Sequence, residues 1–143
     1  MKNKAPLPLM EQLIMVLVFA LTAALCLQGF ALAERLSHRQ EARERAVIMA
    51  QNAAETLKAC SGDFKAARGL LGGTWDETSW EIPYDASGSL LTTPEDAAFL
   101  VQASPLDTGD ALLGSAHIQV LREEETLFEL TIAWQEVNKN ANP

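Results

Sequence analysis

The apolar residues of this chain form one long block near its start and shorter alternating segments after it. From Gln12 to Ala33 almost every side chain is apolar and uncharged, and no proline or glycine interrupts the stretch between Ala31 and Cys60. A helix rises about 1.5 Å per residue, so about 20 apolar residues cross a bilayer core of about 30 Å. The pattern therefore predicts one long helix whose residues 11–33 span a membrane.

The predicted helix changes chemistry after Ala33. Residues Glu34 to Arg45 mix acids and bases, and Glu41 and Arg45 are spaced to form an i,i+4 pair. An apolar stripe of mostly small side chains then recurs at spacings of three and four: Ala46, Ala50, Ala53, Leu57 and Cys60. This periodicity predicts an amphipathic continuation over residues 34–60 that packs on the chain's own domain rather than in an intermolecular coiled coil.

Short elements are predicted after the long helix. Ser61-Gly62-Asp63 ends it and caps a second helix from Phe64 to about Leu71. Alternating apolar residues from Trp80 to Tyr84 predict a strand, which Pro83 places at a sheet edge. The next segments are a helical turn opened by Thr93-Pro94, a short run from Phe99 to Ala103 and a loop from Ser104 to Gly109. The pattern of the short run leaves its type open and favours a strand slightly over a helix.

The clearest short-range pattern is a hairpin near the end of the chain. Ala116, Ile118 and Val120 alternate with polar residues, a Glu123-Glu124-Glu125 turn follows, and the alternation resumes from Phe128 to Trp134. The apolar face of such a hairpin needs cover, and the stripe from Ala46 to Cys60 supplies it. We therefore predict an α+β fold, with a long N-terminal helix packed on a small antiparallel β-sheet of three or four strands.

The pattern divides the chain into five parts. They are a basic lead (1–10), a transmembrane helix (11–33), its amphipathic continuation (34–60), a small α+β domain with a C-terminal hairpin (61–137) and a polar tail (138–143). At 143 residues the chain is too short for an anchor and a multidomain enzyme together.

Charge is unevenly placed. The formal net charge is -8, of which residues up to Arg45 contribute +2 and the remainder -10. An acidic domain without a basic patch repels the phosphates of nucleic acid, so we expect no nucleic-acid partner.

The start of the chain has features of an export signal. Lys2 and Lys4 precede the apolar block, and Ala31-Leu32-Ala33 fits the small-x-small pattern of a signal cleavage site. The block is longer than the apolar core of a cleaved signal, which favours a retained anchor. Cleavage after Ala33 remains the alternative.

Glu11 is an acid at the very edge of the apolar block, beside Met10 and Leu13. Such a group is costly next to hydrocarbon unless it is solvated or paired. It is either a solvated interfacial side chain or the partner of a positive group on a neighbouring subunit.

The basic lead, the sequence Met10-Glu11-Gln12-Leu13-Ile14-Met15-Val16, the amphipathic continuation and the β-rich domain together resemble type IV pilins and the pseudopilins of type II secretion. The resemblance implies cutting by a prepilin peptidase five residues before the acid, so that the mature chain begins at Leu7. The residue before that cut is Pro6, where the family has Gly. It further implies that Glu11 meets the free amine of an adjacent subunit.

The chain is poor in candidate chemistry. His38 lies among mixed charges without a second metal ligand at suitable spacing, and His117 lies in a predicted strand opposite the Ile118 face. Glu123 to Glu125 lack the alternating carboxylates and glycine of a calcium loop. We expect no catalytic residues, no metal site, no cofactor and no small-molecule substrate, and hence no enzyme.

The sequence thus favours a structural subunit. The expected function is a membrane-anchored, pilin-like or pseudopilin-like component of a secretion or pilus filament, with Glu11 as its assembly residue. Its expected partners are the lipid bilayer and other pilin-like subunits that contact the N-terminal helix. The expected location is the cell membrane, crossed once, with a cytoplasmic N-terminus and an extracytoplasmic C-terminal domain. The alternatives are a monomeric membrane-tethered binding domain and a secreted domain released at Ala33.

Overall fold

A computed structural model describes residues 6–136 of the chain. It contains two α-helices, α1 (Pro6–Ala59) and α2 (Phe64–Leu71), and a 3₁₀ turn, η1 (Pro94–Asp96). Five strands are present: β1 (Thr74–Trp75), β2 (Trp80–Tyr84), β3 (Phe99–Leu106), β4 (Leu113–Arg122) and β5 (Glu125–Gln135). The predicted α+β class is confirmed. The predicted tail 138–143 lies outside the described residues.

The first helix begins earlier than the sequence predicted. We expected the lead to extend through Met10 and the helix to begin at Glu11, whereas α1 starts at Pro6. The first four N–H groups of a helix have no partner within it, so Pro6 and Pro8 in the first turn remove no hydrogen bond. The predicted end is confirmed, because α1 stops at Ala59 and Asp63 caps α2 by accepting from the N–H groups of Lys65 and Ala66.

The described residues divide into two compact units on either side of the boundary between Gln40 and Glu41. Within the second unit, the α1 residues that face the core are almost all alanines, together with Met49 and Leu57. The fully buried ones are Ala46, Ala50, Ala53 and Leu57. They belong to the same hydrophobic core as the sheet residues, which confirms the predicted helix-on-sheet packing. The predicted stripe included Cys60, which is only half-buried, and it missed three buried residues, Ala42, Met49 and Ala54.

The sheet is antiparallel throughout and its strands follow chain order, β1-β2-β3-β4-β5. Successive core positions come into register across it: Trp80 pairs with Ala103, Ala103 with Ile118, and Ile118 with Leu130. Five strands exceed the three or four predicted, because the two-residue β1 is too short for periodicity to reveal. The predicted edge position of β2 is wrong for the same reason: β1 pairs with Trp80 and Glu81 on its outer side.

Two prolines lie where their strand is paired in a ladder on one side only: Pro83 pairs with Leu100 of β3, and Pro105 pairs with Ala116 of β4. The carbonyl of Pro83 accepts a hydrogen bond from the N–H of Leu91, on the side of β2 away from β3. Pro105 lies beyond the last β2 pair, Trp80 with Ala103. β3 therefore continues to Leu106, paired with Ser115, where the sequence predicted a loop from Ser104.

The predicted C-terminal hairpin is confirmed. β4 and β5 are joined by Glu123 and Glu124, which have φ of 49° and 69°. Positive φ at both positions is what a two-residue type I′ turn requires, although Asn-Gly is the usual sequence there. Glu123 and Glu124 therefore form the hairpin tip, whereas Glu125, which the sequence placed in the turn, is the first residue of β5.

Candidate functional site

The most unusual surface of the molecule is the first part of α1. Every residue from Pro6 to Gln40 is exposed. The large apolar side chains of this segment are 55–77% accessible, and they include Leu13, Phe19 and Phe30. Soluble monomers rarely expose a continuous apolar surface of this length. Such a surface is typical of segments that lipid or other protein covers.

Length and composition fit a membrane crossing. Among the described residues, α1 is the one helix that is both long enough and apolar enough to span a bilayer, and it lies near the N-terminus. Gln12 to Ala33 would extend over about 33 Å at 1.5 Å per residue, close to the thickness of a hydrocarbon core. The helix is thus a candidate membrane anchor.

Glu11 lies at the N-terminal edge of this apolar surface. Its neighbours one turn away are Leu7, which is 77% exposed, and Met15. Within residues 6–136 its carboxylate has no ion-pair or hydrogen-bond partner. The carboxylate is therefore available to a group outside the described chain.

The charged segment after the apolar block makes local ion pairs. In the first unit, Nε2 of His38 lies 4.0 Å from Oε1 of Glu34, and both side chains are exposed. In the second unit, Nη2 of Arg45 lies 2.7 Å from Oε1 of Glu41, as the i,i+4 spacing predicted. Arg45 also donates to the carbonyl of Ala86. That contact ties α1 to the turn after β2.

The sheet face opposite α1 has a row of polar side chains that crosses three strands. Nε2 of Gln119 donates to Oε1 of Gln102 at 2.7 Å, and Nε2 of Gln102 donates to Oε1 of Glu81 at 3.1 Å. The sequence does not reveal this row, because alternation shows that the three residues face away from the core but not that they share one register. The row orders the outer face and leaves it polar.

His117 lies on the same outer face, as its alternation with Ile118 predicted. Its Nδ1 is 3.4 Å from the hydroxyl of Thr131, and its Nε2 is 3.7 Å from a carboxylate oxygen of Glu129. Thr131 and Glu129 are both on β5, so His117 links β4 to the outermost strand. These contacts hold the imidazole of His117 against β5 on the surface of the sheet.

Two aspartates organise turns. The hydroxyl of Thr78 and the N–H groups of Thr78 and Ser79 all donate to Asp76, and they lower the pKa of its carboxyl to about 2. Asp85 accepts from the hydroxyl of Ser87 and the N–H of Ser89, which lowers its pKa. Carboxylates that accept several hydrogen bonds favour the charged form. Both groups therefore act as local turn anchors.

Two buried polar atoms have no partner within the described residues, the hydroxyl of Tyr84 and Nε1 of Trp134. Burial raises the pKa of Tyr84. Each unpaired atom costs part of the stability that its ring contributes to the core.

Residues 6–136 contain no group of three or more His, Cys, Asp or Glu side chains arranged to hold a metal ion. The cysteines are free, with Cys26 exposed on α1 and Cys60 half-buried beside the core. Compared with known proteins, the chain matches no protein-family model, no curated protein and no solved structure.

Proposed function

We propose that this protein is a membrane-anchored, pilin-like or pseudopilin-like structural subunit of a secretion or pilus filament. The observation that carries the proposal is the combination of a continuous exposed apolar helix surface with a single unpaired acid at its edge. The small domain supports it, because α1 residues from Ala42 onward pack on an antiparallel sheet.

In this proposal the apolar segment packs among the equivalent segments of other subunits. Each such contact is individually modest, since lipid and apolar side chains are similar surroundings. Repetition along a filament and confinement to the membrane raise the effective concentration of the partners. Assembly then does not need a large interface on each small domain.

Glu11 would set the depth of the incoming helix. If the chain is cut after Pro6, the new amine belongs to Leu7, one helical turn before Glu11. The acid of one subunit would pair with that amine on its neighbour, in surroundings that screen charge weakly. An unpaired carboxylate at the lipid edge is costly, and this cost would favour the correctly placed neighbour.

The test is cross-linking between subunits in membranes that contain wild type or Glu11→Gln at matched levels. The amide keeps the size of the side chain and removes its charge, so the variant should insert normally and give a lower cross-linked yield. Glu34→Gln is the matched control, since Glu34 is an exposed acid of the same helix beyond the apolar block. Equal yields for wild type and Glu11→Gln would remove Glu11 from the assembly mechanism.

The protein is proposed to cross the cell membrane once, with its N-terminus in the cytoplasm and its domain outside. The second candidate function is a monomeric, membrane-tethered extracytoplasmic binding domain with no assembly role. It is favoured by the polar row of Glu81, Gln102 and Gln119, which offers an ordered surface for a polar partner. If wild type and Glu11→Gln are both monomeric at native expression level, this second candidate is favoured.

A further inference from the structure

A groove of about 320 Å³ lies on the sheet face opposite α1, beside the tip of the β4–β5 hairpin. Its floor is apolar and includes Leu100 and Leu121, which are paired across β3 and β4. Ala97 forms part of one wall, and Glu123 and Glu124 of the hairpin tip form the opposite rim. The groove thus joins an apolar floor to an acidic rim.

Further acids lie on the same side of the domain. Glu95 and Asp96 form the exposed 3₁₀ turn that follows Pro94, which itself lines the groove. Such a surface attracts a segment that combines positive charge with an exposed apolar side chain, because the charge pairs with the acidic rim while the apolar side chain packs on the floor.

Helix α2 presents that combination. Leu70 is 73% exposed, the highest value among the large apolar side chains of residues 41–136 that stay outside the core. Lys65 and Arg68 are exposed on the same helix, whose inner face buries Phe64 and Ala67. The carboxylate of Asp63 is engaged by backbone N–H groups at the helix start. Leu70 therefore projects from a short basic helix.

Two other exposed leucines fit the groove less well. Leu112 and Leu113 follow a loop that contains Asp107 and Asp110. Docking that loop would place acids against Glu123 and Glu124, and like charges brought together at an interface oppose association.

We infer that the groove between η1 and the β4–β5 tip receives α2 of a second copy of this chain, with Leu70 on the apolar floor and Lys65 and Arg68 near the acidic rim. This inference rests on the proposed assembly function. The two surfaces share no residue, so one copy can donate α2 and accept another at the same time. A head-to-tail contact of this kind repeats from copy to copy, which gives a ring or an open filament.

The experiment uses the full chain in membranes, in a Cys26→Ser, Cys60→Ser background. Two differently tagged copies are expressed together, one with Gly69→Cys, which keeps Leu70 and meets no atom within 4 Å, and the other with Ala97→Cys, and the thiols are joined by a short bifunctional reagent. The expected product is a dimer that carries both tags. Membranes that contain either variant alone should give no dimer, because the contact joins two different surfaces.

Charge exchange tests the same contact independently. Lys65→Glu in the copy with Gly69→Cys should lower the cross-linked fraction about two- to fivefold, the scale of one exposed ion pair. Glu124→Lys in the copy with Ala97→Cys should restore it. Glu129→Lys is the matched control, since Glu129 is an exposed acid of β5 away from this groove, and it should restore nothing.

The outcomes separate this inference from the proposed function. Absence of the mixed dimer, dimers within one variant, or rescue by Glu129→Lys would overturn the contact. If the mixed dimer is absent while wild-type copies still cross-link through Cys26 of the apolar helix, the contact is wrong and assembly stands. If both cross-links are absent, the filament function is wrong as well.

Discussion

The indole of Trp134 lies against Gly114, its direct partner across the β4–β5 ladder, so closely that a Cβ atom at position 114 would be 2.3 Å from Nε1 of Trp134. Gly62, just after α1, approaches the same ring equally closely. Trp134 is therefore held between a strand glycine and the glycine that follows the long helix. This arrangement joins the end of α1 to the outermost strand of the sheet.

Gly114→Ala should destabilise the domain, because the added methyl group must displace an indole that is already confined by Gly62. The expected loss is about 1–3 kcal/mol in the free energy of unfolding, the usual cost of overpacking. Denaturant unfolding of the detergent-solubilised chain, followed by tryptophan fluorescence, measures it.

Gly69→Ala is the matched control. No atom lies within 4 Å of a Cβ at that position, and Gly69 is inside α2. Alanine should stabilise the helix there by about 0.5–1 kcal/mol. If the two substitutions shift the unfolding midpoint equally, the proximity of Gly114 to Trp134 has no energetic consequence.

A fragment that begins at Glu34 should be soluble and folded, because it contains the whole second unit and omits the apolar segment. In that fragment Trp134→Ala should cost about 3 kcal/mol, since the ring packs on the core although it is only half-buried. Leu70→Ala, at a largely exposed site, should change stability by less than about 0.5 kcal/mol. Circular dichroism and urea unfolding of the three fragments decide whether Trp134 is a core residue.

Chemical labelling of the Cys60 thiol reports on which side of the membrane the C-terminal domain lies. Lys2, Lys4 and the amino terminus precede the apolar segment. Four arginines follow it, Arg35, Arg39, Arg43 and Arg45, so charge alone mildly favours a cytoplasmic domain. We nevertheless expect the domain outside, because long domains that mix acids with bases translocate largely regardless of charge. A membrane-impermeant thiol reagent should label Cys60 in intact cells, with mild denaturant added since the thiol is half-buried.

Cys60→Ser supplies the background for that measurement, as it leaves only Cys26 within the apolar segment. Labelling of the wild type only after cell lysis would reverse the predicted orientation.

Stability should depend on the charge of Asp76. Its folded pKa is about 2 against an ordinary value of 3.8, so the folded state binds the proton more weakly than the unfolded state. The ionised carboxylate therefore contributes fully to the stability of the fold above about pH 4, and this contribution is lost as pH falls toward 2. The difference in unfolding midpoint between wild type and Asp76→Ala should shrink across this interval.

Asp76→Asn keeps an acceptor oxygen but cannot titrate in this range. The difference in unfolding midpoint between Asp76→Asn and Asp76→Ala should therefore stay constant between pH 5 and pH 2. A constant difference for the wild type as well would mean that the hydrogen bonds from Thr78 and Ser79 do not favour the charged form.

Periodicity by itself determined the main elements of the fold. The spacing from Ala46 to Leu57 identified the buried face of α1, and the alternation from Ala116 to Trp134 identified the hairpin, because each of these patterns extends over several turns or residue pairs. Asp63 predicted the start of α2 for a local reason, since a capping carboxylate bonds to residues two and three positions away. Glu11 was recognisable as an unusual acid because its neighbours in sequence are also its neighbours on the helix.

Tertiary structure decided what depends on pairing between distant segments. β1 exists because Thr74 and Trp75 meet Glu81 and Trp80, and two residues carry no period of their own. The row of Glu81, Gln102 and Gln119, like the contact of Gly114 with Trp134, follows from strand register. Register is set by the whole sheet, since a shift of one residue would turn every side chain of a strand to the opposite face. The sequence shows which residues face outward, and only the folded sheet brings particular ones together.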